Sequence, residues 1–322
     1  MSELLKNIDA RTKLAGTNKL EILLFMLGTD ARTGRRETFG INVFKVREVM
    51  RTPPITAAPE MPPSVEGMVS LRGALVPVVD LARYARIDTQ TPRSIMIVTE
   101  YAGHTQGFLV EGVDTILRLD WSQMRVPPAM LLAEMGGLVT AVTELPDGRL
   151  VMLMDVEKIL SETTNYDDEV VYRNIKPLDK PDLTVFFADD STVARRQIQR
   201  TLDAMGVKSQ AAINGREAWE ELEKVAAYAQ SSGQKVTDLI SLVLTDIEMP
   251  EMDGYILTKR IKSDPRFAGV PVIMHSSLSG MSNQQLGKSV GVDEYVPKFE
   301  PQRLSETLTR RLLGAGTAVQ LA

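Results

Sequence analysis

Apolar residues change their period about halfway along this chain. In the first half they come in short runs: Glu21-Ile-Leu-Leu-Phe-Met-Leu, Thr38 to Phe44 with Phe39, Ile41 and Val43 alternating, Gly73 to Asp80, Ser94 to Thr99, and Gly107 to Val110. Runs of this length, parted by turn residues, predict β-strands in a barrel or sandwich. Pro146-Asp147-Gly148-Arg149 joins Val139–Val142 to Leu150–Asp155 and predicts a hairpin, because Asp-Gly supplies the positive backbone angles of a tight turn. Pro77 interrupts a strand-like run; lacking an N–H for the ladder, it implies an edge or a bulge.

From Ser161 to Asp182 the periodicity lapses and two prolines appear, so an interdomain linker is expected at residues 166–182, after a first domain at 19–165. Residues 1–18 mix both charges in an amphipathic helical pattern. Beyond the linker, strands and helices alternate. Strands are expected at Leu183–Ala188 and Val207–Ala212, in the run from Leu239 to Leu244, at Val270–His275 and around Tyr295. Helices should start at Ser191, near Arg216 and near Tyr255, with a last one from Pro301 to Leu313 and a tail at 314–322. Five strands interleaved with five helices in residues 183–313 predict a doubly wound parallel sheet.

Asp189-Asp190 end the first of these runs and Asp246 closes the third. In one parallel sheet, all three carboxylates meet at its carboxyl edge, where such sheets keep their ligands. Two unit charges roughly 4 Å apart repel by about 4 kcal/mol at an effective dielectric near 20, so three require a cation or strongly shifted pKa values. An all-oxygen acidic cluster suits magnesium.

The 322 residues carry a net charge of -5, which argues against a broad nucleic-acid surface and gives no electrostatic case for an anionic membrane. Cysteine is absent, excluding disulfides and thiolate metal sites. The first residues lack the apolar core of a signal peptide and no run reaches the length of a membrane helix. A soluble, cytoplasmic protein is expected.

The ordered set Asp189-Asp190, Asp246 with Met249-Pro250 and Asp253-Gly254, Pro271-Val-Ile-Met-His-Ser276, Tyr295 and Lys298 resembles a response-regulator receiver domain. The resemblance implies that Asp246 accepts a phosphoryl group from the phosphohistidine of a histidine kinase. It implies Mg2+ held by Asp190 directly, by Asp189 through water, and by Asp246 and the backbone carbonyl of Glu248. Lys298 would neutralise phosphoryl oxygens, a role that suits the charge developed in phosphoryl transfer. Ser276 would follow the acyl phosphate with its hydroxyl, and Tyr295 would be the switch aromatic. Two departures and two variable positions stand out. Ser276 replaces the commoner threonine, Phe299 follows Lys298 where the family has a cis proline, and Glu248 and Leu278 occupy positions that tune dephosphorylation. A cis bond before Phe299 would cost about 2.5–4 kcal/mol. His275 and His104, unlinked in sequence, read as packing or surface residues.

The first half holds no phosphate loop, metal spacing or nucleophile beside a base, so binding is its expected job. Phe39-Gly-Ile-Asn-Val-Phe-Lys-Val-Arg-Glu-Val-Met, Ile55-Thr, Val65 to Leu81, Val110-Glu-Gly-Val and Leu150-Val-Met-Leu-Met-Asp-Val resemble a CheW-type chemotaxis coupling domain. That family is a pair of small β-barrels sharing a core, and it bridges chemoreceptor tips to the histidine kinase CheA. Carried over, the receptor-facing residues are Val46, Glu48 and Arg72, with Gly73 needed for the turn; an apolar stripe gives Val46 an equal claim to the core. The loop Thr29–Arg36, with Arg32, Arg35 and Arg36, is longer than the family's and reads as solvated or as facing an acidic partner.

A coupling domain followed by a receiver is the arrangement of the CheV family of chemotaxis adaptors. The expected function is to link chemoreceptors to CheA at membrane-associated arrays, with phosphorylation of Asp246 modulating signalling or serving as a phosphate sink. The receiver would act only on its own Asp246, with no independent turnover, and neither nucleic acid nor membrane insertion is implied. Two alternatives stay open: a scaffold with an inert receiver, and a magnesium-dependent aspartyl phosphatase, for which no cap segment exists. A DNA-binding regulator is disfavoured because only Gly314 to Ala322 follow the last expected helix and the first half is β-rich without a basic helix.

Overall fold

The protein is described by a computed structural model over residues 19–57, 59–101, 104–130, 135–163, 172–179, 182–277 and 287–314. The expected N-terminal helix at 1–18, most of the tail, and Leu278 lie outside these residues. One compact unit holds Lys19–Asn165 and another holds Tyr166–Ala322.

In the first unit, β1 (Lys19–Met26), β2 (Thr38–Asn42), β8 (Gly112–Asp120), β9 (Val139–Glu144) and β10 (Leu150–Met154) form a sheet in the order β8-β1-β2-β10-β9. A second sheet, β3-β6-β7-β5-β4, is built from β3 (Val46–Arg51), β4 (Val65–Leu71), β5 (Ala74–Asp80), β6 (Ile95–Tyr101) and β7 (His104–Val110). In each, chain just past one edge strand bonds the opposite edge. Thr56 after β3 pairs with Met68 of β4 through two 2.9 Å bonds, and Arg125 after β8 pairs with Val142 of β9 through two of 2.8 Å. Both sheets thereby close into small barrels and leave no long unpaired edge.

The continuous apolar run of β1 follows from burial on both faces. Leu20, Ile22 and Leu24 enter the first barrel's core with Trp121 and Val151. Leu23 and Phe25 face the other way, into a cluster shared with Val79, Ile97 and Phe108 of the second barrel. Two-residue alternation thus feeds two cores from one strand. Gly148 turns the β9–β10 hairpin at φ 83°, as Asp-Gly implied. Pro77 is not on an edge strand, since β5 lies between β7 and β4. Its pairing with β7 begins only at Val78, so the missing N–H breaks no bond there, and the expected bulge sits beside it in β4, between Val65 and Gly67. Two short helices, α1 (Leu81–Tyr84) and α2 (Val156–Thr163), complete the unit's described elements.

The second unit is a five-stranded parallel sheet, β12-β11-β13-β14-β15, made of β11 (Thr184–Ala188), β12 (Lys208–Ala212), β13 (Leu242–Thr245), β14 (Val272–Ser276) and β15 (Glu294–Pro297). Phe186, Ala188 and Val243 pack on one face against α4 (Gly215–Ser232) and α5 (Gly254–Ser263). Val185, Phe187, Leu242 and Leu244 pack on the other, against α3 (Thr192–Ala204) and α6 (Pro301–Leu313). The sequence places four of the five expected helices; between β14 and β15, residues 287–290 are helical among the described ones. Part of the segment read as a linker is packed rather than free: Tyr172 and Ile175 are buried against α3 and α6 in the second core. Tyr172, Ile175 and Leu178 recur every third residue, but among charged residues and with Pro177 between the last two, which masks them as a packed segment.

Candidate functional site

The register Ala188↔Thr245 aligns the ends of β11 and β13, so the residues that follow, Asp189-Asp190 and Asp246, stand side by side. Asp189, Asp190 and Asp246 each offer an oxygen within 4.8 Å of the others. From the end of β15, Lys298 reaches this cluster, its Nζ 2.9 Å from Asp189 Oδ2 and 3.0 Å from Asp246 Oδ2. Asp189, Asp246 and Lys298 are buried, whereas Asp190 is half-exposed at the mouth. One ammonium against three carboxylates leaves an excess of negative charge in a poorly solvated place. That is the condition under which a divalent cation binds, and the all-oxygen donor set fits magnesium rather than a thiophilic or imidazole-loving metal.

Local backbone chemistry fixes these carboxylates. Asp189 Oδ1 accepts the Ser191 N–H at 2.9 Å, and Asp246 Oδ1 accepts the Ile247 N–H at 2.7 Å. Ser191 caps α3, as its place in the sequence predicted, and Arg195 donates to the Asp189 carbonyl at 2.7 Å. Glu248 lies in the loop leaving Asp246, which ends where Asp253 caps α5 through the Ile256 N–H. At Gly254 a Cβ would stand 1.9 Å from the Asp246 carbonyl oxygen, so only glycine lets α5 start this close to the site. Arg195 and this steric role of Gly254 went unread in the sequence; Arg195 had no signal, and the Asp-Gly pair drew notice only through the resemblance.

Ser276 ends β14, buried, and its carbonyl accepts the Lys298 N–H at 3.2 Å. Tyr295, on the neighbouring β15, packs with Ile247, Tyr255 and Met274. Burial pushes the Tyr255 phenol well above its usual range, helped by its hydrogen bond with the Tyr295 hydroxyl. Tyr295 is raised chiefly by burial too, against the opposing hydrogen bonds it receives from Tyr255 and the Gly287 N–H. The bond before Phe299 is trans, and Phe299 makes the turn at φ 64° instead. Such left-handed strain costs about 1–3 kcal/mol. Lys298 nevertheless reaches both carboxylates. His275 is buried beside Ser276 and His104 is half-buried on β7; the acidic cluster contains neither.

The candidate partner surface of the first unit is rearranged relative to expectation. Arg72 and Gly73, at φ 51° and 84°, form the two-residue turn between β4 and β5, so Gly73 does serve the turn. Arg72 Nη2 lies 3.1 Å from Glu48 Oε2 on β3, and Arg72 is exposed. Val46 does not join them: it is buried in the shared core, 7% exposed. Residues two apart on a regular strand share a face, but a bulge falls between Val46 and Glu48 and sends them to opposite sides. In the arginine-bearing loop, Arg36 bonds Glu111 at 2.7 Å and Arg32 bonds the Arg86 carbonyl at 2.9 Å, so these two side chains are tied to the unit itself.

The two candidate sites thus lie on separate folds, an exposed turn on the double barrel and a buried acidic cluster at the carboxyl edge of the doubly wound sheet. The chain belongs to two families in tandem: residues 21–164 match the CheW-like domain and residues 185–309 match the response regulator receiver domain. Over 97% of its length it is 27% identical to chemotaxis protein CheV1 of Helicobacter pylori, covering 99% of that protein. Chemotaxis protein CheW of Klebsiella aerogenes is 31% identical over 47% of the chain and 87% of its own length. Chemotaxis protein CheY1 of H. pylori is 34% identical over 39% of the chain and 94% of its own length. It is thus a CheV-like chemotaxis protein. Among the described residues, no helix is long and apolar enough to cross a membrane.

Proposed function

We propose that the chain links chemoreceptors to the histidine kinase CheA through its CheW-like unit and accepts phosphate from that kinase on Asp246. The observation that carries the second half is the buried Lys298 ammonium within 3.0 Å of both Asp189 and Asp246, with Asp190 beside them. In the transfer, a carboxylate oxygen of Asp246 attacks phosphorus, a P–O bond forms as the P–N bond to the kinase histidine breaks, and the imidazole leaves with the electron pair and takes up a proton. Lys298 sits where it can neutralise the equatorial oxygens, and the backbone bond from Ile247 holds Asp246 in place. Asp189, Asp190, Asp246 and the Glu248 carbonyl would hold Mg2+, which supplies further charge neutralisation when bound. Ser276 and Tyr295, on adjacent strands at the same edge, would convert the new charge into a change of packing.

On the CheW-like unit, Glu48 and Arg72 are the receptor-facing residues, with Gly73 shaping their turn and Val46 supporting them from the core. The protein would work in the cytoplasm at receptor arrays, turning over no substrate besides its own acyl phosphate. The trans geometry at Phe299 leaves Lys298 in reach, which disfavours the inert-receiver alternative. Incubation with 32P-phosphorylated CheA tests this reading: label should move to the wild-type chain and not to Asp246→Asn. Equal labelling of the two proteins, or none of either, ends the phosphoacceptor claim.

A further inference from the structure

The stretch just upstream of the receiver lies on the two helices whose starts flank the acidic pocket. α3 begins immediately after Asp189-Asp190, and α6 begins shortly after Lys298. At the pocket these two starts are joined by the 2.9 Å ion pair between Lys298 and Asp189. Farther along the same helices, side chains of residues 172–178 share one buried cluster with residues of both. Tyr172 and Ile175, 8% and 9% exposed, pack among Ile198 and Leu202 of α3 and Leu304, Leu308 and Leu312 of α6. The Arg200 guanidinium covers the Tyr172 ring at 4.2 Å, and the Leu178 N–H bonds the Met205 carbonyl at 2.8 Å, where α3 ends.

We propose that residues 172–178 form a strap across α3 and α6 that reads the state of the acidic pocket and passes it to the chain leading back to the CheW-like unit. The proposal rests on the reading of Asp246 as phosphoacceptor. When the Lys298 ammonium turns to a phosphoryl oxygen, its bond to Asp189 is lost, and α3 and α6 keep one tie fewer at the pocket end. Packed helices answer such a change by a small shear rather than by local deformation. A segment whose side chains share a buried cluster with both helices loses part of its seat in that shift. The strap stands at the entry to the receiver, so a change in its seating is passed to the chain that precedes it.

Hydrogen–deuterium exchange of the full chain, with and without Mg2+ plus beryllofluoride as the phosphoryl probe, tests this. The Ile175 and Leu178 amides, both bonded, report on the strap. The expected result is exchange at residues 172–178 faster by roughly fivefold or more on addition of the probe, alongside slower exchange at residues 246–254, and no change at either place in Asp246→Asn. Tyr172→Ala should show fast strap exchange already without the probe, with the response at 246–254 intact. A response at 246–254 with strap exchange unaltered overturns the strap and leaves the phosphoacceptor reading standing. No response anywhere in the wild-type chain removes both.

Discussion

Lys298 carries an unusual burden for one side chain. It is 2% exposed, and it holds two buried carboxylates 2.9 and 3.0 Å away that would otherwise face each other and Asp190. Removing one partner of a buried charge set is far costlier than losing a surface pair, because the charges left behind stay desolvated. Lys298→Met in EDTA should therefore destabilise the receiver by about 3 kcal/mol, seen as a lower urea midpoint. An unchanged midpoint would mean that the ammonium contributes nothing at rest. The residue types of this pocket were legible in sequence because carboxylates that end apolar runs have few structural reasons to be there. Its pairing was not: nothing in spacing says that Lys298 passes the neighbouring β14 to reach Asp189 as well as Asp246. Val46 is the opposite case, where sequence left core and interface equally open and the bulge in β3 put the side chain in the core.

At the scale of elements, the β4–β5 turn concentrates what the CheW-like unit offers a partner. Arg72 is 70% exposed and its bond to Glu48 runs through solvent, so the pair should be worth only about 0–1 kcal/mol to the fold. Arg72→Ala is accordingly expected to leave thermal stability nearly unchanged while weakening capture of receptor cytoplasmic fragments. Undiminished capture by the mutant would take Arg72 out of the interface, and a large loss of stability would make its role structural. Turn and hairpin chemistry read well from sequence, at Asp147-Gly148 as at Gly73, since positive φ needs particular residues. The strap at 172–178 did not, because Tyr172, Ile175 and Leu178 stand in a short polar, proline-bearing segment, and their worth depends on a groove built by residues far downstream.

For the whole molecule, the receiver and the CheW-like unit each have hydrophobic cores of their own. A ligand that binds only the folded receiver stabilises only that unit, by roughly 2.7 kcal/mol at a hundredfold excess over its dissociation constant. Calorimetry of the full chain should then show Mg2+ raising the transition that Lys298→Met lowers, with the other left in place. Equal shifts of both transitions, or of neither, would contradict a magnesium site confined to the acidic pocket. Sequence alone determined the two fold classes and their order, because hydrophobic period is a local property that each segment carries with it. It also supplied the acidic residues of the pocket. Only tertiary structure decided that the barrels close through Thr56 and Arg125, that Val46 faces inward, and that Tyr172 and Ile175 of the expected linker pack in the receiver core. Each of these turns on which surface meets which across long stretches of chain, a relation that no window of neighbouring residues contains.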